Sequence, residues 1–308
     1  MRGSADMPAK LGELLDLRPM LRGLLFTISR LPMWVLYRWA DILAILMCYL
    51  LRYRRKVVVG NLRRSFPDKS PREIRQITRK FYWHLADIIV ETLKLFTISE
   101  EELKRRVVYR NTDRVEAHYQ AGRPVIHMAV HSGNWELFTL GHSVWLSAPV
   151  QAAYVKLAWP WLNDQMLAMR QKFGADMVPR AKSVKAILQR GHEPRTIGLV
   201  ADQRPMGKPE QLYWIEFLNQ PTAFFLGGEK IAPRIGAAVF YNSMRRIRRG
   251  YYEVDFIEID APPYHSEPHF ITNRYRDLLQ ELINERPSEW LWSHKRWKVK
   301  PPENVGRD

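Results

Sequence analysis

Residues 124–136, Pro124-Val125-Ile126-His127-Met128-Ala129-Val130 followed by His131-Ser132-Gly133-Asn134-Trp135-Glu136, read as three structural units in direct succession. The first seven residues form an apolar run that reads as a buried strand. Ser132-Gly133-Asn134 reads as a tight turn, and Trp135 onward as a helix. A buried strand that feeds a helix through so short a turn predicts an open α/β sheet, in which ligands bind at the carboxyl ends of the strands. His131 falls at such an end.

The rest of the chain extends this pattern. Further β-rich runs occur at Val107 to Tyr109, Val150 to Val155, Thr196 to Ala201, Ala237 to Tyr241 and Tyr252 to Ile259. Helical candidates at Asn134 to Leu146, Trp159 to Phe173, Lys182 to Gln189, Phe225 to Arg234 and Pro268 to Glu285 lie between and after them. That order predicts an α/β fold with a mostly parallel central sheet flanked by helices. Asp202 to Phe224 shows no long element, so it is a candidate substrate loop or a surface excursion with a short strand near Gln211 to Phe217.

Residues 1–106 differ in character and read as helical, which gives two regions, 1–106 and 107–308. Ser70-Pro71-Arg72-Glu73 supplies an N-cap, a proline at the first helical position and a capping-box glutamate. Ile74, Ile77, Phe81, Leu85 and Ile88 then fall on one helical face. Ser99 and Glu102 repeat the capping-box spacing. Leu31 to Leu51 is mostly apolar and about long enough to cross a bilayer core of ~30 Å. It carries Arg38 and Asp41, three apart and able to neutralise each other. A charge near the bilayer centre costs about 2.5–3.5 kcal/mol. Trp34, Tyr37, Trp39, Tyr49 and Tyr53, with Arg52, Arg54, Arg55 and Lys56 following, suit a helix that lies in the interface or inserts obliquely. A helix buried against the rest of the protein is the competing reading. Met1 to Leu17 lack a secretory pattern, so export is not expected.

The 308 residues carry 48 Lys+Arg against 32 Asp+Glu, a net charge of +16 that requires an anionic partner: nucleic acid, an anionic membrane leaflet or a phosphorylated substrate. Eleven basic residues lie between Arg52 and Lys80 against Asp68 and Glu73 alone, beside the apolar helix, and that adjacency favours a membrane over nucleic acid. The clusters Arg245, Arg246, Arg248, Arg249 and Lys295, Arg296, Lys298, Lys300 are compatible with a plain solvated surface. Cys48 is the single cysteine, which excludes disulfide staples and cysteine-rich metal centres and suits a reducing compartment. No metal site is expected.

The common nucleotide, zinc-protease and serine-hydrolase fingerprints are absent. The chemistry therefore centres on His131 and Glu136. One turn into the helix, Glu136 could hydrogen-bond one imidazole nitrogen and leave the other as a general base, with the helix N-terminus available to a developing oxyanion. A His–Glu pair that merely caps the helix fits the same residues. Ser132 lacks the elbow motif of a nucleophile.

His131-Ser-Gly-Asn-Trp-Glu136 resembles the H-x4-D/E motif of glycerolipid-type acyltransferases, and its surroundings are similar to those of the bacterial late (secondary) lipid A acyltransferases. The resemblance extends through Asn61-Leu62…Ser65-Phe66-Pro67, Leu199-Val200-Ala201-Asp202-Gln203, Phe217-Leu218-Asn219-Gln220-Pro221-Thr222, Ile231 to Phe240, and Pro287 to Trp297. It implies O-acyl transfer from an acyl thioester, on acyl carrier protein or coenzyme A, to a hydroxyl of a lipid A precursor, without a resident cofactor. His131 would be the general base and Glu136 its orienting acid. The resemblance also implies binding roles for Arg170, Asp202 and Gln203, with Arg204 beside them for an anion. The partners it implies are inner-membrane lipid on the cytoplasmic face, a phosphorylated glycolipid acceptor and the carrier protein, with no nucleic acid. The sequence departs from the family pattern at Phe217 to Thr222 and at Tyr154-Val155-Lys156, where substrate fit is set. Acylation of a lysophospholipid, another glycolipid or an aminolipid is the alternative within this chemistry. Outside it stands a non-catalytic membrane or nucleic-acid binding protein.

Overall fold

A computed structural model of the chain describes residues 17–302; the segment read for a secretion signal lies, apart from Leu17, outside the described residues. The strands are β1 (Val107–Tyr109), β2 (Val125–Ala129), β3 (Val150–Tyr154), β4 (Asp176–Pro179), β5 (Thr196–Val200), β6 (Tyr213–Phe217), β7 (Gln220–Phe224), β8 (Ala238–Arg248) and β9 (Tyr251–Asp260). Seven of them form one sheet in the order β1-β9-β8-β2-β5-β3-β4, parallel at every pairing except β8–β9. The α/β expectation therefore holds. All five residues of β2 are buried, as its unbroken apolar run requires for a central strand covered on both faces.

Eleven α-helices surround the sheet among the described residues: α1 (Arg18–Arg30), α2 (Met33–Ile45), α3 (Arg55–Ser65), α4 (Pro71–Leu95), α5 (Glu100–Arg106), α6 (Thr112–Gln120), α7 (Trp135–Trp145), α8 (Pro160–Arg170), α9 (Arg180–Arg190), α10 (Gly227–Ile235) and α11 (Phe270–Glu285). The long helix α4 starts where its cap predicts. Ser70 Oγ accepts from the Glu73 N–H and the Glu73 carboxylate accepts from the Ser70 N–H at 2.8 Å. Ser99 caps α5 in the same way, but Glu102 turns to Arg106 instead of closing the box.

The apolar amino-terminal stretch is divided by Pro32. Helix α2 begins after it and continues through one π-helical turn, Leu46–Leu50. Leu36, Ala40, Ala44 and Met47 form its buried stripe, whose two alanines let α2 approach α4 closely. The other side stays apolar and open: Trp34 is 71% exposed, Ile42 58% and Leu50 72%. Asp41 does not pair with Arg38 as their spacing suggests; it pairs with Arg249 at 2.8 Å, because the β8–β9 turn brings a guanidinium onto the helix. Leu36 and Ala40 of α2, Val58 and Leu62 of α3, and Ile77 and Phe81 of α4 belong to the same apolar cluster as Ile126, Val239 and Leu279 of the α/β layers.

Strand β4, helix α6 and strand β7 escape the sequence pattern, whereas β6 lies within the short strand expected near Gln211 to Phe217. Strand β4 and helix α6 are short, and α6 buries only Val115. The candidate loop from Asp202 to Phe224 contains the hairpin β6–β7, turned at Leu218 and Asn219, which both have positive φ.

Candidate active site

Strands β2 and β5 lie side by side with Ala129 opposite Val200. Two residues beyond that pair, the chain reaches His131 on one strand and Asp202 on the other. Parallel neighbours in register thus bring an imidazole and a carboxylate together at the carboxyl edge of the sheet. His131 Nδ1 lies 2.7 Å from Asp202 Oδ1, and the His131 backbone N–H donates to Asp202 Oδ2 at 3.0 Å.

Glu136, which the sequence suggests as the acid that orients His131, makes no hydrogen bond to the imidazole. Glu136 lies in the first turn of α7 and meets Arg170 at the end of α8, accepting from its Nε at 2.8 Å and from a terminal nitrogen at 2.5 Å. The fork geometry explains the choice: a guanidinium offers a carboxylate two parallel charge-assisted hydrogen bonds, while the two imidazole nitrogens meet Asp202 and Gln203. Two of the N–H groups at the start of α7, where the sequence offered a site for a developing oxyanion, are already taken. Asn134 Oδ1 accepts from the backbone N–H groups of Glu136 and Leu137, each at 3.1 Å.

Asp202 is 1% exposed and fully committed. Besides its two contacts with His131, it accepts from the indole N–H of Trp290 at 2.8 Å. Burial pushes its pKa up, but the imidazole charge and these hydrogen bonds outweigh burial and hold the carboxyl below its ordinary value. An ionised carboxylate only accepts, so the Nδ1 of His131 carries a proton, and in the neutral imidazole Nε2 is the nitrogen left with the lone pair. The side-chain amide of Gln203 meets that lone pair at 3.2 Å. His131, 20% exposed, therefore presents a basic nitrogen toward solvent while its other nitrogen is anchored.

That nitrogen opens on a cavity of about 450 Å³ whose wall includes His131, Glu136, Arg170, Gln203 and Arg204. Apolar side chains such as Phe138, Val150, Leu199 and Ile231 line the rest of it. The six residues singled out in the sequence thus gather around one site, with Asp202 behind the imidazole. Arg204 and Arg180, both on the cavity wall, make no ion pair among the described residues and are the cations open to an anion there.

Support for the turn comes from residues that sequence reasoning did not single out. Gly133 has φ +61°, and a Cβ there would lie 3.0 Å from Met244, so both conformation and space require glycine. The Asn134 amide donates to Glu91 Oε2 at 2.7 Å, and Glu91 also accepts from Tyr252 and Tyr37. The tail closes the other side: Leu291 N–H donates to the His131 carbonyl at 3.1 Å, and Ser132 bridges to Trp290. Asp87 and Glu91, spaced four apart on the buried face of α4, were the available signal that an apolar helix carries polar duty.

A family model described as bacterial lipid A biosynthesis acyltransferase matches residues 19–299. The chain belongs to that family. Among similar proteins are the lipid A biosynthesis palmitoleoyltransferase of Escherichia coli (strain K12) and the lipid A biosynthesis acyltransferase of Shigella flexneri. Each is 22% identical over 287 residues, covering 87% of this chain and 90% of the relative. The family match includes the His131 turn, the Asp202 strand end and the tail that packs beneath them, so the contacts described above lie within the shared region.

Proposed function

We propose that this member of the lipid A acyltransferase family transfers a fatty acyl chain from an acyl thioester to a hydroxyl of a lipid A precursor. The observation that carries the reading is the His131 imidazole with Nδ1 anchored on buried Asp202 and Nε2 turned into an apolar cavity. In the reaction, the acceptor hydroxyl displaces the Gln203 amide from Nε2 and gives up its proton there as its oxygen attacks the thioester carbonyl. The tetrahedral intermediate expels the thiolate, which takes the proton from the imidazolium, leaving an ester and a free thiol. Asp202 stabilises the imidazolium between the two steps. Arg204 faces the negative charge of the intermediate or of an acceptor phosphate. No residue of the chain is acylated.

Carrier protein as donor, rather than coenzyme A, agrees with the +16 charge, since a basic surface attracts an acidic carrier. The open apolar side of Met33–Leu50 and the cations from Arg52 onward support a position at the cytoplasmic face of the inner membrane, where such a donor and a growing lipid meet. The test is transfer from acyl carrier protein to a lipid A precursor by wild type and His131→Ala, together with the lipid mass spectrum of a deletion strain. Loss of one acyl chain from lipid A supports the reading. Unchanged lipid A with a missing chain elsewhere moves the acceptor to another lipid, and full activity in His131→Ala ends the mechanism.

A further inference from the structure

A second cavity, of about 550 Å³, lies away from the His131 site, between one face of α4 and the β8–β9 turn. Arg79, Lys80, Trp83 and Asp87 contribute from α4, Arg246 from the end of β8 and Arg249 from the β8–β9 turn. The charge there is not balanced. Arg246 and Arg249 share one carboxylate, Asp87, at 2.6 Å each, and Arg249 takes Asp41 as well. The remaining carboxylate of the wall, Glu289, has Arg286 3.8 Å away. Arg79 and Lys80 have no acidic partner among the described residues, and both are exposed.

The position of these cations matters as much as their number. Trp83 carries Arg79 over its ring at 5.9 Å and meets Tyr49 edge-on at 6.4 Å. Tyr49 belongs to the open apolar side of the Met33–Leu50 segment. Unpaired cations, an aromatic wall and an exposed greasy helix thus adjoin, which is the chemistry of the headgroup layer. We propose that this cavity binds a phosphate group carried by a lipid, at a site separate from the cavity of the proposed reaction. Arg79 and Lys80 supply the charge, Trp83 sits at the boundary between headgroup and acyl chain, and the Asp87 pairs hold Arg246 and Arg249 in place.

The test uses the full chain and three kinds of vesicle: phosphate-free digalactosyldiacylglycerol alone, the same with phosphatidylglycerol, and the same with a doubly phosphorylated disaccharide lipid. Arg79→Glu/Lys80→Glu is compared with Arg72→Glu/Arg75→Glu, an equal charge change at exposed positions of the same helix outside the cavity. The cavity variant is expected to lower retention on phosphate-bearing vesicles by about tenfold relative to the control variant. Both variants are expected to match on the phosphate-free vesicles. A loss in both phosphate arms assigns membrane phospholipid, and a loss confined to the disaccharide arm assigns the glycolipid. Equal retention of the two variants on every vesicle overturns the site, because general surface charge then explains the binding. Acyl transfer is not the readout, so failure here is distinct from failure of the proposed reaction.

Discussion

Asp202 and Glu136 are two buried carboxylates at the edge of one sheet, and each answers a different cation. Asp202 sits on a strand end, behind the imidazole, with three donors directed at it. Glu136 sits on a helix start, on the cavity wall, locked in a fork with Arg170. Chain proximity to His131 favours Glu136, and spatial proximity favours Asp202. The contrast separates two arrangements: Asp202 anchors the His131 imidazole, which under the proposed reaction tunes and orients the base, whereas the Glu136–Arg170 pair ties α7 to α8 at the corner of the cavity.

The sharpest way to break this division is to neutralise each acid alone. Asp202→Asn is expected to lower the rate of transfer by about a thousandfold, the scale of a lost general base, because an amide cannot stabilise the imidazolium and permits the wrong tautomer. Glu136→Gln is expected to lose less in kcat than Asp202→Asn. If Glu136→Gln matches His131→Ala while Asp202→Asn retains activity, the assignment of the orienting acid is reversed.

A second test asks whether the wall pair is a structural unit. Glu136 is 8% exposed and Arg170 16%, so removing either leaves its partner charged and poorly solvated. Glu136→Ala and Arg170→Ala are each expected to destabilise the fold by about 3 kcal/mol in urea unfolding, and the double variant by much less than the sum. Simple additivity would show that the fork contributes nothing.

Why the sequence suggests the nearer acid is a matter of strand order. The boundaries of the β2 and β5 runs are legible from their apolar residues, and both readings end close to His131 and Asp202. That the two ends touch is not legible, because β3 and β4 intervene in the chain and only the order β8-β2-β5-β3 makes β2 and β5 neighbours. The hairpin β6–β7 is half legible: its first strand falls within the short strand expected near Gln211 to Phe217, but its turn uses Leu218 and Asn219 at positive φ where glycine would have announced it, so β7 stays hidden. Likewise the Arg245 to Arg249 cluster, compatible in sequence with solvated surface, places Arg246 and Arg249 on buried Asp87. Charge composition records how many arginines exist, not which helix meets them.

The contrast extends to the histidines of the same cavity. His142 also lines it, yet is buried, with Nδ1 near Tyr109 Oη at 2.9 Å and Nε2 without a partner. Burial pushes its pKa down to about 4, and its hydrogen bond to the Phe138 carbonyl only partly opposes this. The unfolded chain therefore binds a proton there below pH 6.5 that the native state refuses until about pH 4. Stability must fall as the pH drops through that window. His142 contributes on the order of 1–3 kcal/mol to the fall. Urea unfolding from pH 7 to pH 4 is expected to show a shallower decline in His142→Gln than in wild type. An identical slope would mean that the buried ring is not held neutral.

The smallest expected effect probes the Asp202 side of the comparison without touching either acid. Trp290→Phe keeps the aromatic packing and deletes the one indole N–H that reaches Asp202 Oδ2. A hydrogen bond to a charged acceptor contributes about 1.5–3 kcal/mol, and the two His131 contacts remain, so a loss near the lower end, about tenfold in kcat, is expected. The substitution should leave the Glu136–Arg170 coupling unchanged, since Trp290 touches neither residue through a hydrogen bond. Were Trp290→Phe to weaken that coupling as strongly as it slows transfer, the two carboxylates would belong to one network, and the separation of base tuning from wall building would fail.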